Sequence, residues 1–551
     1  MLEQKQEVNR PVIDPDGFVE MEHETDVLVI GGGVAGVFAS VKAHDAGAKV
    51  LLVAKGGVGT SGQTPFAKGV FSFDEKSSKI SLDEFTKQVS YSALGTNNAV
   101  YTKQMAEHSK ARVDELKAWG YFDQALCRDP LQKPIKEREI AMLERISITH
   151  LIKENGKIAG AAGFSLDTQT LHLFRAKSVI LCTGAGGFKP NGFPICDLTH
   201  DGTVMAYNIG AKVTGKEWND GHSGSAKNAA ATFDGWHGMF EQIPSTTGVG
   251  IRHDLGVDLN YQAYENGGPV SMGPPHAGNR STTKGGPYRP KGLIDQGPPP
   301  GSGDKEDRRG SPPPHGEGKL PPGMNMASVG GASAGLSIHK SEGLVPINDQ
   351  CESTIKGLYA AGDALGSYMA GAIYTQIGSS MAGSSVQGAI AGEAAAKYAT
   401  DTTLSTISKE KQKHIKEEIL APLNRKKGYS PAWVTQTLQG IMIPNFVLYI
   451  KKERMLQGAL SYVEELRDHH LPMLKASDMH ELRLAHETIN MVISAEMKLK
   501  ASLMRKESRC SHYRTDYPEM DKENWEAWIN IYKGADGQMA FEKQPFGTWA
   551  T

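Results

Sequence analysis

The sequence predicts an α/β chain organised around a Rossmann-like domain, with a largely helical region after it. Three observations predict this. A strand, glycine turn, helix and second strand fill Thr25–Lys55. A second buried strand runs into glycines at Ala176–Gly187. Helical periodicity then dominates residues 408–506.

In TDVLVIGGGVAGVFASVKAHDAGAKVLLVAK, the run Val27–Ile30 is apolar and β-branched, as suits a strand buried on both faces. Gly31, Gly33 and Gly36 follow at G-x-G-x-x-G spacing. The first allows a tight turn, the second lets a pyrophosphate approach the backbone, and the third lets the helix pack close to the sheet. The helix expected over Val34–Asp45 points its free N–H groups and positive dipole end at that phosphate. Gly47 stops it, and Lys49–Ala54 is the second strand. Flanked by strand and helix, the motif reads as a dinucleotide site. The second strand ends in Ala54 and Lys55, where a ribose-binding acid usually stands. That disfavours a simple NAD site and leaves FAD open.

A chain of 551 residues exceeds one core, so two to four domains are expected. The net charge is −2 with both signs interspersed, which gives no basic stripe for nucleic acid. The run Lys409–Glu418 reads as a solvated helix face. Cys127, Cys182, Cys196, Cys351 and Cys510 form no C-x-x-C and no local cluster. No zinc, iron–sulfur or c-type haem site, and so no metal site, is expected within the chain. Five scattered cysteines fit reduced thiols in a cytoplasm. The segment MLEQKQEVNRPV lacks the layout of a signal peptide, and no window is apolar enough to insert in a bilayer.

Further along, GGVGTSGQTPFAKGVFSF reads equally as a cofactor-wrapping loop or a surface loop. Residues 82–120 are amphipathic and helical. Ile146–Ile152, Asn155-Gly156 and Ile158–Phe164 read as a small antiparallel hairpin insert. A helix opens at Asp201-Gly202, and KEWNDGHSGS, with Glu217 and His222, is a polar stretch. Glu265–Gly323 is dominated by Pro and Gly and reads as a long loop or extended arm. An arm ordered by a partner or a second protomer is favoured over a disordered linker. Leu358–Ala361 is a short strand turning at Gly362-Asp363, where Asp363 suits a polyol or an Asx turn. Leu482, Ala485, Ile489, Val492, Leu499 and Leu503 lie on one helical stripe, which Glu496 interrupts, and read as bundle core. The pair His469-His470 reads as surface. The tail 507–551 reads as irregular and aromatic, packing back on the body or on a partner.

Four blocks together carry a family resemblance: VLVIGGGVAG at 27–36, VILCTGAGG at 179–187 with THDG at 199–202, GLYAAGD at 357–363, and ESRCSHYRTDYPEMDKENW at 507–525. In these the chain resembles the flavoprotein subunits of succinate dehydrogenase and fumarate reductase, a group that includes L-aspartate oxidase and the α subunit of adenylylsulfate reductase. The resemblance implies a Rossmann-like FAD-binding domain at 20–213 and 336–402, interrupted by an inserted α+β capping domain at 214–335 that contains the arm 265–323. A C-terminal helical domain at 403–506 and a tail at 507–551 follow. It implies that Gly31, Gly33, Val34, Ala35 and Gly36 hold the pyrophosphate. Ala54, Lys55, Ser61, Gly62 and Thr64 line the flavin, with Thr183, Gly184 and Asp201 nearby. Gly362 and Asp363 meet the ribityl chain, and Ser379 and Ser380 the isoalloxazine end. Arg509, His512 and Arg514 are expected to pin the tail to the cap or helical domain.

The departures from the family set further expectations. Some members bond FAD through a His in S-H-T; this chain has Ser61-Gly62-Gln63, so its FAD is expected to be non-covalent. Of the family's dicarboxylate anchors, E-x4-H persists as Glu217 and His222. A second His is replaced near Met326, and an Arg gives way to Thr375 or Gln376. Losing that Arg removes a bidentate carboxylate clamp. Arg252 and Arg280 are the candidates for the cap's proton-donating Arg. The implied chemistry is hydride transfer between flavin N5 and a small anionic or enone-like substrate, reducing C=C or the reverse. The chain has no second nucleotide motif, so electrons are exchanged with an outside carrier, first an iron–sulfur, ferredoxin-like subunit, then quinone or oxygen. The alternatives are a sulfur-metabolising chain like the α subunit of adenylylsulfate reductase, a fumarate reductase or succinate dehydrogenase with altered anchors, and a non-enzymatic flavin-binding assembly subunit.

Overall fold

The computed structural model describes residues 17–189, 195, 197–218, 241–251, 342–372, 375–376, 378–442, 447 and 450–548, together with Ile13 and the backbone of four short strands between 224 and 338. His222, Arg252, Arg280, Met326, Trp549 and nearly all of the arm 265–323 lie outside the described residues.

The first strand, β1 (Val19–Ile30), is buried only in its second half, where the apolar run lies. It continues eight residues before that run as an exposed, charged strand. Helix α1 (Val34–Asp45) and β2 (Val50–Ala54) follow as the glycine spacing requires. After a short strand, β3 (Gly69–Phe71), come two amphipathic helices, α2 (Leu82–Ser92) and α3 (Ala99–Trp119). Ser81 and Asn98 cap their first turns by accepting from Glu84 N and Val100 N. Strand β4 (Ala141–Glu144) adds beside β2.

Strands β5 (Ile146–Glu154) and β6 (Lys157–Ser165) pair antiparallel across the Asn155-Gly156 turn, where both residues take positive φ. This hairpin is not a separate insert. Strand β7 (Thr170–Leu181) starts earlier than its apolar end and joins β6 to β1, so the order is β4-β2-β1-β7-β6-β5. Val27–Ile30 lies parallel between Val50–Val53 and Ser178–Leu181. The far edge of β7 is shared: β6 takes its first half, and β8 (Leu358–Ala360) pairs parallel with Val179–Leu181. Residues far apart in the chain thus end their strands together at one sheet edge, where open α/β sheets bind ligands.

Helix α4 (Asp201–Asn208) opens at the Asp-Gly pair, and α5 (Ser379–Thr400) packs along α1. Small residues make that packing possible. A Cβ on Gly388 would lie 2.3 Å from Ala35 O, and one on Gly392 2.4 Å from Ala39 O. The helical region contains α6 (Lys409–Asn424), α7 (Pro431–Met442), α8 (Glu453–Glu465) and α9 (Met479–Met504). The expected stripe on α9 is buried at Leu482, Ala485, Val492 and Leu499 and partly buried at Ile489 and Leu503. Glu496 finds its partners in Arg467 and Lys500.

The tail departs from expectation. Ala527–Lys533 and Met539–Pro545 form an antiparallel hairpin, and its first strand pairs with Val213–Thr214. Trp528 is fully buried. Arg514 donates to Ser502 O at 2.7 Å and pairs with Glu453, which ties the tail to the helical region. Among the described residues no helix is long and apolar enough to cross a membrane.

The helix α1–α5 contact gives a direct test. Gly392→Ala should lower the melting temperature, by about 1–3 kcal/mol of overpacking. Gly458→Ala, in an exposed helix position with nothing within 4 Å of the added carbon, should leave stability unchanged or raise it by about 1 kcal/mol. Equal effects in thermal melts would contradict the close contact.

Candidate cofactor cleft and neighbouring sites

Gly31 leaves β1 at φ +120°, and its N–H donates to Val53 O at 2.8 Å. A side chain there would meet Cys182 O at 2.1 Å, because β7 ends alongside. Gly36 lies against the same turn, its missing Cβ only 1.9 Å from Gly31 O. Gly33 caps α1 without any side-chain bond, so the helix end presents backbone N–H groups; Val34 N donates to Thr64 Oγ1 at 3.2 Å.

One cleft lies over this turn. It is lined by Gly31, Gly33, Val34, Ala35, Lys55, Ser61, Gly62, Thr64, Thr183, Gly184, Asp201, Gly362, Asp363 and Ser380. Three other expected residues stand behind it. Gly36 packs under the turn, Ala54 is the buried end of β2, and Ser379 is buried with its Oγ donating to Gln376 O at 2.8 Å. The cleft also takes Gln63, from the S-H-T position, and Ile146, Ile148, Asp197, Met205 and Ser384, which the sequence motifs do not mark. Asp197 accepts from Gly62 N at 3.0 Å and so fixes the loop 56–64. Its place four residues before Asp201 is the one local signal for it. Ile146 and Ile148 come from the hairpin, and only its joining to the main sheet brings them here.

The lining fits a dinucleotide. An uncapped helix end faces a pyrophosphate with backbone donors. Thr183 Oγ1 is buried with no hydrogen-bond partner among the described residues. Lys55, Asp201 and Asp363 are charged side chains in the lining. At Ser61-Gly62-Gln63 the Ser61 Oγ donates to Gly57 O, and no imidazole is present to bond a flavin.

Lys55 is held by a buried charge cluster. Its Nζ donates to Asp201 Oδ2 at 2.7 Å, Glu487 Oε1 at 2.8 Å and Thr199 Oγ1 at 3.1 Å. Lys189 pairs with the other Glu487 oxygen, and Asn490 donates to Asp201 Oδ1 at 2.9 Å. Burial works against charge on Lys55, but Asp201 and Glu487 outweigh it and hold the ammonium above its ordinary range. Burial likewise pushes both carboxyls up, and Lys55 more than reverses it, with Lys189 adding to the effect on Glu487.

Of the catalytic candidates only Glu217 falls among the described residues, and it stands away from the cleft. Glu217 is fully buried and absent from the cleft lining; its Oε1 accepts from Arg505 Nε at 2.9 Å. Arg505 also pairs with Glu507 and lies 4.5 Å over the Trp218 ring. Beside it Lys216 pairs with Glu342, which also meets His200. Lys216–Trp218 is therefore a buried charged core, where the sequence suggests a polar stretch. Thr375 and Gln376 are buried, Thr375 donating to Ala370 O at 2.8 Å and Gln376 to Gly248 O at 3.2 Å. Gln376 bridges Ile251, the residue before Arg252, and its Oε1 has no partner among the described residues. No group of three or more metal-ligating side chains occurs among the described residues.

Glu487→Gln should lower stability by about 3 kcal/mol at pH 7, since it strands buried cations. The folded pKa of Glu487 lies below its unfolded value of about 4. Its contribution is therefore present above that value and lost as pH falls through the folded pKa. The deficit of the variant against wild type in thermal melts should shrink below about pH 4. A deficit constant from neutral to acid pH would assign Glu487 a packing role instead.

Comparison with known proteins agrees with this geometry. Residues 26–189 match the family model for FAD dependent oxidoreductases, and residues 435–549 match the fumarate reductase flavoprotein C-terminal model. An uncharacterized FAD-dependent oxidoreductase of Methanocaldococcus jannaschii is 26% identical, the match covering 96% of this chain and 99% of the relative. A fumarate reductase (CoM/CoB) subunit of Methanothermobacter marburgensis is 25% identical over 94% of this chain and 98% of that protein. In fold, adenylylsulfate reductase of Archaeoglobus fulgidus superposes with a TM-score of 0.70 at 20% identity, covering 98% of both chains. The cofactor is FAD. The chain is a FAD-dependent oxidoreductase of the family that contains the flavoprotein subunits of fumarate reductase and succinate dehydrogenase.

Proposed function

We propose that this chain reduces, or forms by the reverse reaction, a C=C bond in a small anionic or enone-like substrate, and exchanges electrons with an external iron–sulfur carrier protein. FAD, when bound, supplies hydride donation and acceptance at N5. The observation that carries the proposal is the continuity of one segment. Thr375 and Gln376, at the family's substrate-anchor position, run directly into Ser380, which lines the cofactor cleft. The M. marburgensis relative, a fumarate reductase subunit matched over nearly its whole length, supports the C=C class.

In this reading Gly33 and Ala35 offer backbone donors to the pyrophosphate, Gly31 and Val34 let it approach the turn, and Gly36 permits the close helix. Asp363 and Gly362 hold the ribityl chain, and Lys55, Ser61, Gly62, Thr64, Thr183, Gly184 and Asp201 frame the rest. Ser379 orients the anchor by its bond to Gln376 O. Gln376 Oε1, which has no partner among the described residues, gives the substrate a neutral acceptor where dicarboxylate enzymes have a guanidinium. This favours a substrate with a donor group or a single carboxylate. His222, five residues after the buried Glu217, or a cap-domain arginine, Arg252 or Arg280, moves the proton. Residues 20–213 and 336–402 act as the FAD-binding domain, 214–335 as the cap, 403–506 as the helical domain, and 507–551 as the tail. The free thiols of Cys127, Cys182, Cys351 and Cys510 support a reducing cytoplasm.

Three measurements test the proposal. Acid precipitation of the purified protein should leave all flavin in the supernatant; flavin retained on the pellet would contradict dissociable FAD. Anaerobically reduced enzyme mixed with fumarate, other enoates and adenylylsulfate should be reoxidised fastest by an enoate. His222→Ala should lower kcat by about 10²–10⁴-fold. Unchanged turnover in that variant, or preference for adenylylsulfate, would overturn the assignment.

A further inference from the structure

Away from the cleft, the loop entering α7 carries an exposed aromatic platform. Tyr429, Met473 and Trp433 are 40%, 45% and 48% exposed. Tyr429 and Trp433 stack with centroids 5.5 Å apart and planes 18° apart. His470 closes on them at 4.5 and 5.6 Å. The backbone beneath is fixed, because Tyr429 N donates to Met473 O at 2.8 Å and Lys475 N to Tyr429 O at 2.9 Å. Lys475 Nζ reaches back to Lys426 O at 3.1 Å. The two joined segments, 424–433 and 471–476, carry Arg425, Lys426, Lys427 and Lys475; the acids flanking them are Asp478, Asp468, which pairs with Arg467, and Glu465, which pairs with His469.

Stacked aromatic rings held rigid in water and rimmed by cations have the composition of an interface centre. The other side of the same helix packs near the charge cluster behind the cleft. Gln439 donates to Phe188 O at 2.9 Å and to Lys189 O. Thr435 meets Thr488 at 2.8 Å, next to Glu487, the residue that holds Lys55.

We infer that this platform docks an acidic iron–sulfur carrier protein, an inference that rests on the carrier named under Proposed function. Charge complementarity selects the partner: Arg425, Lys426, Lys427 and Lys475 lie on the platform's own segments, the flanking Asp468 is already paired with Arg467, and this local basic excess favours an acidic face, while the rings supply an apolar centre that excludes water. The balanced charge of the whole chain, −2, argues against a nucleic acid here.

The probe is a small acidic bacterial ferredoxin, reduced anaerobically and mixed with FAD-loaded enzyme, with flavin absorbance as the readout. Methyl viologen, a small reductant that needs no docking surface, is the control. The double variant Lys426→Glu with Lys427→Glu, and separately Trp433→Ala, should each slow reduction by ferredoxin about tenfold or more at low salt. The charge-reversed variant should also lose the salt dependence shown by wild type. Reduction by viologen and FAD content should be unchanged in both. If wild type accepts electrons from ferredoxin and the variants do so equally well, the docking surface is overturned while the carrier reading stands. If wild type accepts electrons from viologen only, the carrier reading fails and the docking surface with it. Binding of single-stranded oligonucleotide that Trp433→Ala abolishes, with ferredoxin coupling intact in that variant, would overturn the protein-docking inference in favour of nucleic acid.

Discussion

Four charged groups from three distant parts of the chain meet at the end of the second strand: Lys55, Asp201, Lys189 and Glu487. Burying such groups is tolerable only when each charge is matched and hydrogen-bonded. Lys55 meets two carboxylates, Glu487 two ammonium groups, and Asp201 also takes bonds from Thr199 and Asn490. Since Lys55 and Asp201 line the cofactor cleft while Glu487 and Asn490 belong to helix α9, the cluster makes the helical region a wall support for the cofactor site. The cluster predicts that FAD binding and the packing of the helical region are coupled.

A second constraint is the close approach of backbones around the turn. Gly31, Gly36, Gly388 and Gly392 each stand where a side chain would strike a carbonyl oxygen. This lets β7 pass beside the turn, α1 sit down on it, and α5 lie against α1. The result is a rigid floor of main-chain donors, suited to an anionic ligand because little must reorganise when it binds.

The parts of this molecule written in local sequence are readable from it. Glycine spacing, the Asn155-Gly156 turn and the stripe Leu482–Leu503 each depend on neighbours within a few residues. What is not readable depends on pairing across the chain. The hairpin 146–165 belongs to the main sheet only because β7 extends back to Thr170. Glu217 looks like part of an exposed polar loop because its partner, Arg505, is 288 residues away. The tail's aromatic and β-branched run AWINIYK carries a strand signal, but it reads as irregular packing because its partner strand, MAFEKQP, is weakly patterned. The match of Ser61-Gly62-Gln63 to a flavin-bonding position, by contrast, needs only the residues themselves.

The coupling between cofactor and helical region is the claim most open to a direct measurement. Hydrogen exchange of the apoprotein and the FAD-loaded protein, read peptide by peptide, follows it without any substitution. FAD should protect residues 484–490 of helix α9 along with the glycine turn and the loop 56–64. Protection confined to the glycine turn and its loop, with exchange in α9 unchanged, would contradict the account.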